Sequence, residues 1–278
     1  MSPLASPGDQ PVPAGRMTTP CTASELGARS LSCDLARLAG RGKIAVRVCP
    51  SAVLDHGASL YVYGSVATGT VRPGSSDVDL LSVDLPEAAI LGQRLSARYA
   101  GRCRGVEVAA ATGADFAGDT DAAYGGRVFL RHYCVHLAGP DPSTTLPSFP
   151  ADARAARGFN GDLGQHLRRW RQGLESGTVP ADLLAVRIAR KTLLAVAGLV
   201  SVHDHTWTTD RSRAVQRWSE LEPDLAAQLG RLHSWATGER HPDREEVRRA
   251  LADDGIVSAI LERFGRLIGL WTDDPGGR

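Results

Sequence analysis

The sequence predicts an α+β protein in which a small mixed sheet with flanking helices is followed by an all-helical bundle. Three observations carry this. Runs rich in β-branched and aromatic residues are confined to positions before 140, the Pro-rich stretch PDPSTTLPSFP occupies 140–150, and helical periodicity fills the remainder of the chain. The expected organisation is a disordered tail over 1–21, a sheet domain over 22–150 and a helical domain over 151–278.

The tail, opening MSPLASPGDQPVPAG, can bury almost nothing, and Met17 offers a second start. Thr22 and Glu25 have capping-box spacing, so a first helix is expected from there to Gly40, ahead of KIAVRV and a turn at Cys49-Pro50. SLYVYG reads as a buried strand, and VDLLSVDL as the next one, ended by Pro86. Residues 87–100 have helical spacing, and GVEVAAAT is a third strand. A loop rich in Gly, Asp and Ala is expected over 113–126, and RVFLRHYCVHLAGPDP begins ambiguously before ending in a strand, YCVHLAG. Beyond the Pro-rich stretch, helices are expected over 162–175, 181–200 and 243–271. Another opens at TTDRSRAVQRW, with Thr208, Thr209 or Asp210 as its cap.

Composition narrows the function. With 32 basic and 31 acidic residues among 278, the chain has no general basic field with which to hold a long nucleic acid. Its five cysteines stand singly, without a C-x-x-C pair, and an odd count argues against a disulfide framework, so a reducing cytoplasm is expected. No apolar run approaches the roughly 20 residues of a membrane-crossing helix, and the N-terminus lacks the basic start and apolar core of a secretory signal.

The chemistry concentrates in VYGSVATGTVRPGSSDVDLL, residues 62–81. Asp77 and Asp79 are two positions apart on a strand, so both carboxylates leave one face of the sheet. At about 4 Å apart they repel by about 4 kcal/mol at an effective dielectric near 20, so they call for a proton or a cation. Hard oxygen donors suit Mg²⁺, which keeps few protein carboxylates and takes its other ligands from water and phosphate. Gly64 and Ser65 follow the strand and open a turn where backbone N–H groups and a hydroxyl can approach phosphate oxygens. Ser76 is a second hydroxyl for the same role. Phosphate and metal at one place describe nucleotidyl transfer, in which a hydroxyl displaces pyrophosphate in line.

The arrangement Gly64-Ser65, eleven residues, then Asp77-Val78-Asp79-Leu80 resembles the signature of the nucleotidyltransferase superfamily typified by DNA polymerase β. The resemblance implies a third carboxylate from a later strand, and Glu107 in VEV is the candidate, as metal ligand or general base. From about 55 to 250 the order YGSxxxG, SDVDLL, RGVEV, LAGPDP and then helices is similar to the streptomycin/spectinomycin adenylyltransferases. That likeness implies ATP as co-substrate, Arg190 contacting the nucleotide, and Trp170 with Glu175 facing a cationic antibiotic. Each of these has a plainer reading: a solvated helix position for Arg190, ordinary packing for Trp170. One departure stands out, because Thr209-Asp210 lies where the family has a lysine for the phosphates; Arg211 or Arg213 would have to substitute. His203-Asp204-His205 reads as a polar loop rather than a metal site.

The expected function is therefore Mg²⁺-dependent transfer of AMP from ATP to a hydroxyl of a small cationic acceptor, with neither a long nucleic acid nor a membrane as partner. The competing readings are a protein or RNA acceptor, and a non-catalytic nucleotide-binding module.

Overall fold

The computed structural model describes residues 33–34, 47–48, 57–67, 69, 71, 74 and 76–271. The expected tail and most of the expected first helix lie outside these residues. Within that helix's span, Cys33–Asp34 (β1) is instead a strand, paired antiparallel with Arg47–Val48 (β2). A neighbouring strand there supplies the backbone partners that a helix would find within itself.

The chain divides into two compact units, residues 1–118 with 126–148, and 119–125 with 149–278. In the first, β3 (Ser59–Tyr63), the one-turn helix α1 (Gly64–Ala67), β4 (Val78–Val83), α2 (Ala88–Arg98) and β5 (Val106–Ala111) follow in order. The helix α3 (Asp121–His132) and β6 (Val135–Ala138) then complete a four-stranded sheet of order β5-β4-β3-β6. Only the β4–β5 pair is parallel among these; β3 runs antiparallel to both β4 and β6, so the sheet is mixed as the sequence predicts.

Alternation along the strands makes two apolar layers. Leu60, Val62, Val78 and Leu80 pack with Leu95 of α2 and Val106, whereas Tyr61, Leu81 and Val83 pack with Leu130 and Cys134 on the other face. Asp79 is the one position of β4 that is not buried. It belongs, by alternation, to the face of Leu81 and Val83.

The second unit is helical: α4 (Ala153–Asn160), α5 (Leu163–Ser176), α6 (Ala181–His203), α7 (Arg211–Leu221), α8 (Ala226–Thr237), α9 (Arg244–Leu251) and α10 (Ile256–Leu267). Its core forms around α6, whose Ile188, Leu193, Val196 and Leu199 are almost wholly buried. That is why α6 reads as dense Leu, Val and Ala rather than as a narrow apolar stripe. Asp210 caps α7 by accepting from the amide of Arg213 at 3.1 Å, one of the caps expected from the sequence. The helix expected over 243–271 is two helices, because Asp253-Asp254-Gly255 turns the chain and Gly255 caps α10.

The expected loop over 113–126 is also corrected. It contains a short 3₁₀ turn, Gly113–Phe116, and the first half of α3, which continues through RVFLRH. Gly125 suggests a loop by its propensity, yet here it serves packing. A Cβ on Gly125 would lie 2.5 Å from the carbonyl carbon of Gly158, and one on Gly158 would lie 2.6 Å from the Cα of Gly125. Gly158→Val is accordingly expected to destabilise the protein by about 2–3 kcal/mol, since neither backbone can yield without moving a helix. The readout is the midpoint of urea unfolding; a midpoint equal to that of the wild type would show that this contact is not tight.

Candidate active site

The parallel register aligns Asp79 of β4 with Glu107 of β5, and the antiparallel register aligns Asp79 with Tyr63 of β3. Tyr63, Asp79 and Glu107 therefore form a row across three strands on one face of the sheet. Electrostatics agrees with the register. Burial first, then the carboxylates of Asp79 and Glu107, push the Tyr63 phenol well above its ordinary range, so both acids lie close to it. Ser96 of α2 holds β5 one residue earlier: its hydroxyl donates to the Val106 carbonyl and accepts from the Val106 amide, both at 2.9 Å.

Gly64 ends β3 with a left-handed φ of 68°. A Cβ there would stand 2.3 Å from Oδ2 of Asp79. Glycine is thus required twice, once by the backbone conformation and once by the carboxylate against it. The Gly-Ser turn and the second aspartate of the motif are one packed unit, despite the loop that separates them in the chain. Ser65 lies in α1, and Ser76 is half-buried just ahead of Asp77.

Asp77 lies immediately before β4, with its side chain 25% exposed. Its partner is Arg104, the first residue of RGVEV, for which the motif by itself implies no role. Nε of Arg104 donates to Oδ1 at 2.8 Å, and a second guanidinium nitrogen donates to Oδ2. A signal was present: register 78 to 106 extends backwards to place 104 beside 76, within reach of 77, but only once β4 and β5 are known to be parallel neighbours. Asp77 and Asp79 flank the buried Val78 but are not themselves buried. Both are half-buried and Glu107 is exposed, because all three lie where the strands emerge from the two apolar layers.

Among the described residues, no group of three or more His, Cys, Asp and Glu stands gathered around a metal-sized space. Both oxygens of Asp77 are engaged by Arg104 instead. The donor chemistry nonetheless fits a hard divalent cation. Asp77, Asp79, Glu107 and Arg104 together carry a formal charge of −2, and the glycine at 64 lets the Asp79 carboxylate lie directly against the Gly-Ser turn.

The other expected site residues lie in the helical unit. Arg190 is half-buried on α6. Next to it, Lys191 places Nζ 2.8 Å from Oδ1 of Asp162, and His166 places Nε2 3.1 Å from the other oxygen. Trp170 is 6% exposed, lies in the helical core with Leu167 and Leu174, and stacks on His166 at 5.3 Å between ring centroids. Glu175 is exposed and lines a cavity of about 200 Å³ with Arg171, Arg244 and Arg248. Five positions apart on α5, Trp170 and Glu175 point about 140° away from each other, so the helix does not bring them to one surface. Packing accounts for the indole. His203, Asp204 and Arg217 form an exposed ionic cluster at the end of α6.

The Asp162 cluster has a measurable consequence. Burial raises the Asp162 pKa, but the hydrogen bond from His166 and the charge of Lys191 outweigh it and hold the carboxyl at about 2. A carboxylate depressed from about 3.9 stabilises the fold above that value and loses the contribution as pH falls towards 2. Wild type should therefore exceed Asp162→Asn by on the order of 1–2 kcal/mol at pH 5, after discounting for solvent screening, with the gap closing towards pH 2. Thermal melts across that range test this; a gap that does not change with pH would remove the ionised carboxylate as its cause.

A family comparison bears on this geometry. Residues 46–91 match the model of the nucleotidyltransferase domain. The match supports the superfamily and nucleotide transfer in general. It covers β3, the Gly-Ser turn, Asp77 and Asp79, and stops before Arg104 and Glu107. No curated protein matches the chain. Among the described residues, no helix is long and apolar enough to cross a membrane.

Proposed function

We propose that the protein is a cytoplasmic, Mg²⁺-dependent O-nucleotidyltransferase that moves AMP from ATP to a hydroxyl of a small cationic natural product, as streptomycin/spectinomycin adenylyltransferases do. The observation that carries the transfer reading is the contact of the Gly64 backbone with the Asp79 carboxylate, in register with Glu107, inside a segment matching the nucleotidyltransferase domain. The likeness of motif order carries the choice of acceptor.

Asp77 and Asp79, with Glu107, would hold the cation, which when bound neutralises charge on the triphosphate. Backbone N–H groups at Gly64 and Ser65, with the hydroxyls of Ser65 and Ser76, orient the phosphates through hydrogen bonds that favour their negative charge. Glu107 is exposed, so an acceptor hydroxyl can reach it, and its carboxylate takes the hydroxyl proton as the new P–O bond forms and pyrophosphate leaves. The same family likeness assigns Arg190 to the nucleotide. For the acceptor, Glu175 supplies an accessible carboxylate, while Trp170 contributes by supporting α5 from within the core.

The test is pyrophosphate release by the purified protein with Mg²⁺ and each of the four NTPs, against streptomycin, spectinomycin and further aminoglycosides. Release with ATP that requires one of these antibiotics is the expected result. Release only with a protein or RNA acceptor would replace the small-molecule reading, and Mg-NTP binding without turnover on any acceptor would favour a nucleotide-binding module.

A further inference from the structure

The Asp77–Arg104 pair is built into the edge of the parallel ladder. The Arg104 amide donates to the Ser76 carbonyl at 3.1 Å and the Val78 amide donates to the Gly105 carbonyl at 2.9 Å, so the backbone is fixed on both sides of Asp77. From this frame the guanidinium fork engages both carboxylate oxygens. Asp77 is its hydrogen-bonding partner, and no other is found among the described residues, while half of the Arg104 side chain, 51%, is exposed. The backbone is anchored, and the head group has solvent rather than packed side chains over half of its surface. The hydrogen bond to Asp77 foremost, against the opposing effect of partial burial, and then the charges of Asp77, Asp79 and Glu107 hold the guanidinium in its charged form.

The fork occupies both oxygens of Asp77 and its positive charge repels a cation, so a cation taking this carboxylate competes with the guanidinium for it. The same planar fork matches a phosphate as well as a carboxylate, and a metal-bound triphosphate would bring phosphate oxygens to this end of the sheet. We propose that Arg104 is a positioning residue that competes with the divalent cation for Asp77 and turns to the nucleotide phosphates when the cation takes that carboxylate, so that metal and nucleotide each bind weakly alone and strongly together. The inference rests on the nucleotidyl-transfer reading above and adds to it the residue that couples the two ligands. The coupling is reciprocal, because each ligand removes the obstacle to the other.

The test uses the full chain, Mn²⁺ followed by electron paramagnetic resonance, and α,β-methylene-ATP as a nucleotide that cannot be turned over. Arg104→Gln is expected to bind Mn²⁺ alone about tenfold more tightly than the wild type, and the analogue in the presence of Mn²⁺ about tenfold more weakly. Arg104→Lys, which keeps the charge and loses the fork, should fall between them. A structural defect would weaken both affinities, so opposite shifts are the signature of competition. Unchanged or weaker Mn²⁺ binding by Arg104→Gln, with binding still abolished by Asp79→Asn, would overturn the role of Arg104 while leaving the transfer reading intact. If the wild type binds no Mn²⁺ with or without the analogue, the transfer reading fails and the proposal falls with it.

Discussion

Asp79→Asn is expected to lower nucleotide-dependent pyrophosphate release by about 10³-fold or more while leaving the melting temperature within about 2 °C of the wild type. Asparagine has nearly the same shape and remains beside Gly64, so the strand, its register and the apolar layers beneath it persist. What disappears is a full negative charge at the centre of the row formed with Tyr63 and Glu107. On the proposed reading, the site then loses both a metal donor and part of the field that favours a bound cation. The measurement is kcat/KM alongside a thermal melt, because an unfolded variant would mimic an inactive one. Full activity in a folded variant would remove Asp79 from the mechanism.

Gly64→Ala is expected to do more damage than its single methyl group suggests. A non-glycine residue at φ 68° costs roughly 1 kcal/mol in backbone conformation alone, and the new Cβ must also push aside Oδ2 of Asp79, 2.3 Å away. The expected result is a loss of about 2–3 kcal/mol in stability, together with a fall in activity of at least about 10²-fold from displacement of the carboxylate. Gly69→Ala is the control: its φ is 73°, and an added Cβ would meet nothing within 4 Å among the described residues. It should therefore show the conformational cost without the loss of activity. Equal losses in the two variants would refute the close contact between Gly64 and Asp79.

Much of this site is legible in the chain because its parts obey local rules. The alternation of VDLLSV sets Asp79 apart from its buried neighbours Val78 and Leu80, and a Gly-Ser pair after SLYVY marks the turn. Glu107 could be paired with Asp79 by resemblance alone, since strand order is not a local property. Arg104 escapes notice for the same reason: in the chain it lies 27 positions from Asp77, and only the parallel ladder makes them neighbours. Trp170 shows the converse. The family likeness offers its indole as a binding surface, but the side chain is buried in the helical core.

The sequence by itself determined the fold class, the division into a sheet half and a helical half, the strand–turn–strand motif and its paired aspartates. Periodicity, Gly and Pro placement and the spacing of acids are encoded within a few residues of one another. The tertiary structure alone decided that Asp77 faces a guanidinium, that Gly64 touches Asp79, that Gly125 packs on Gly158 as part of a helix, and that α9 and α10 are separate helices. Each of these depends on which distant backbone comes within a few ångströms. Sheet register and helix packing set those distances, and they are properties of the whole fold rather than of any local stretch of the chain.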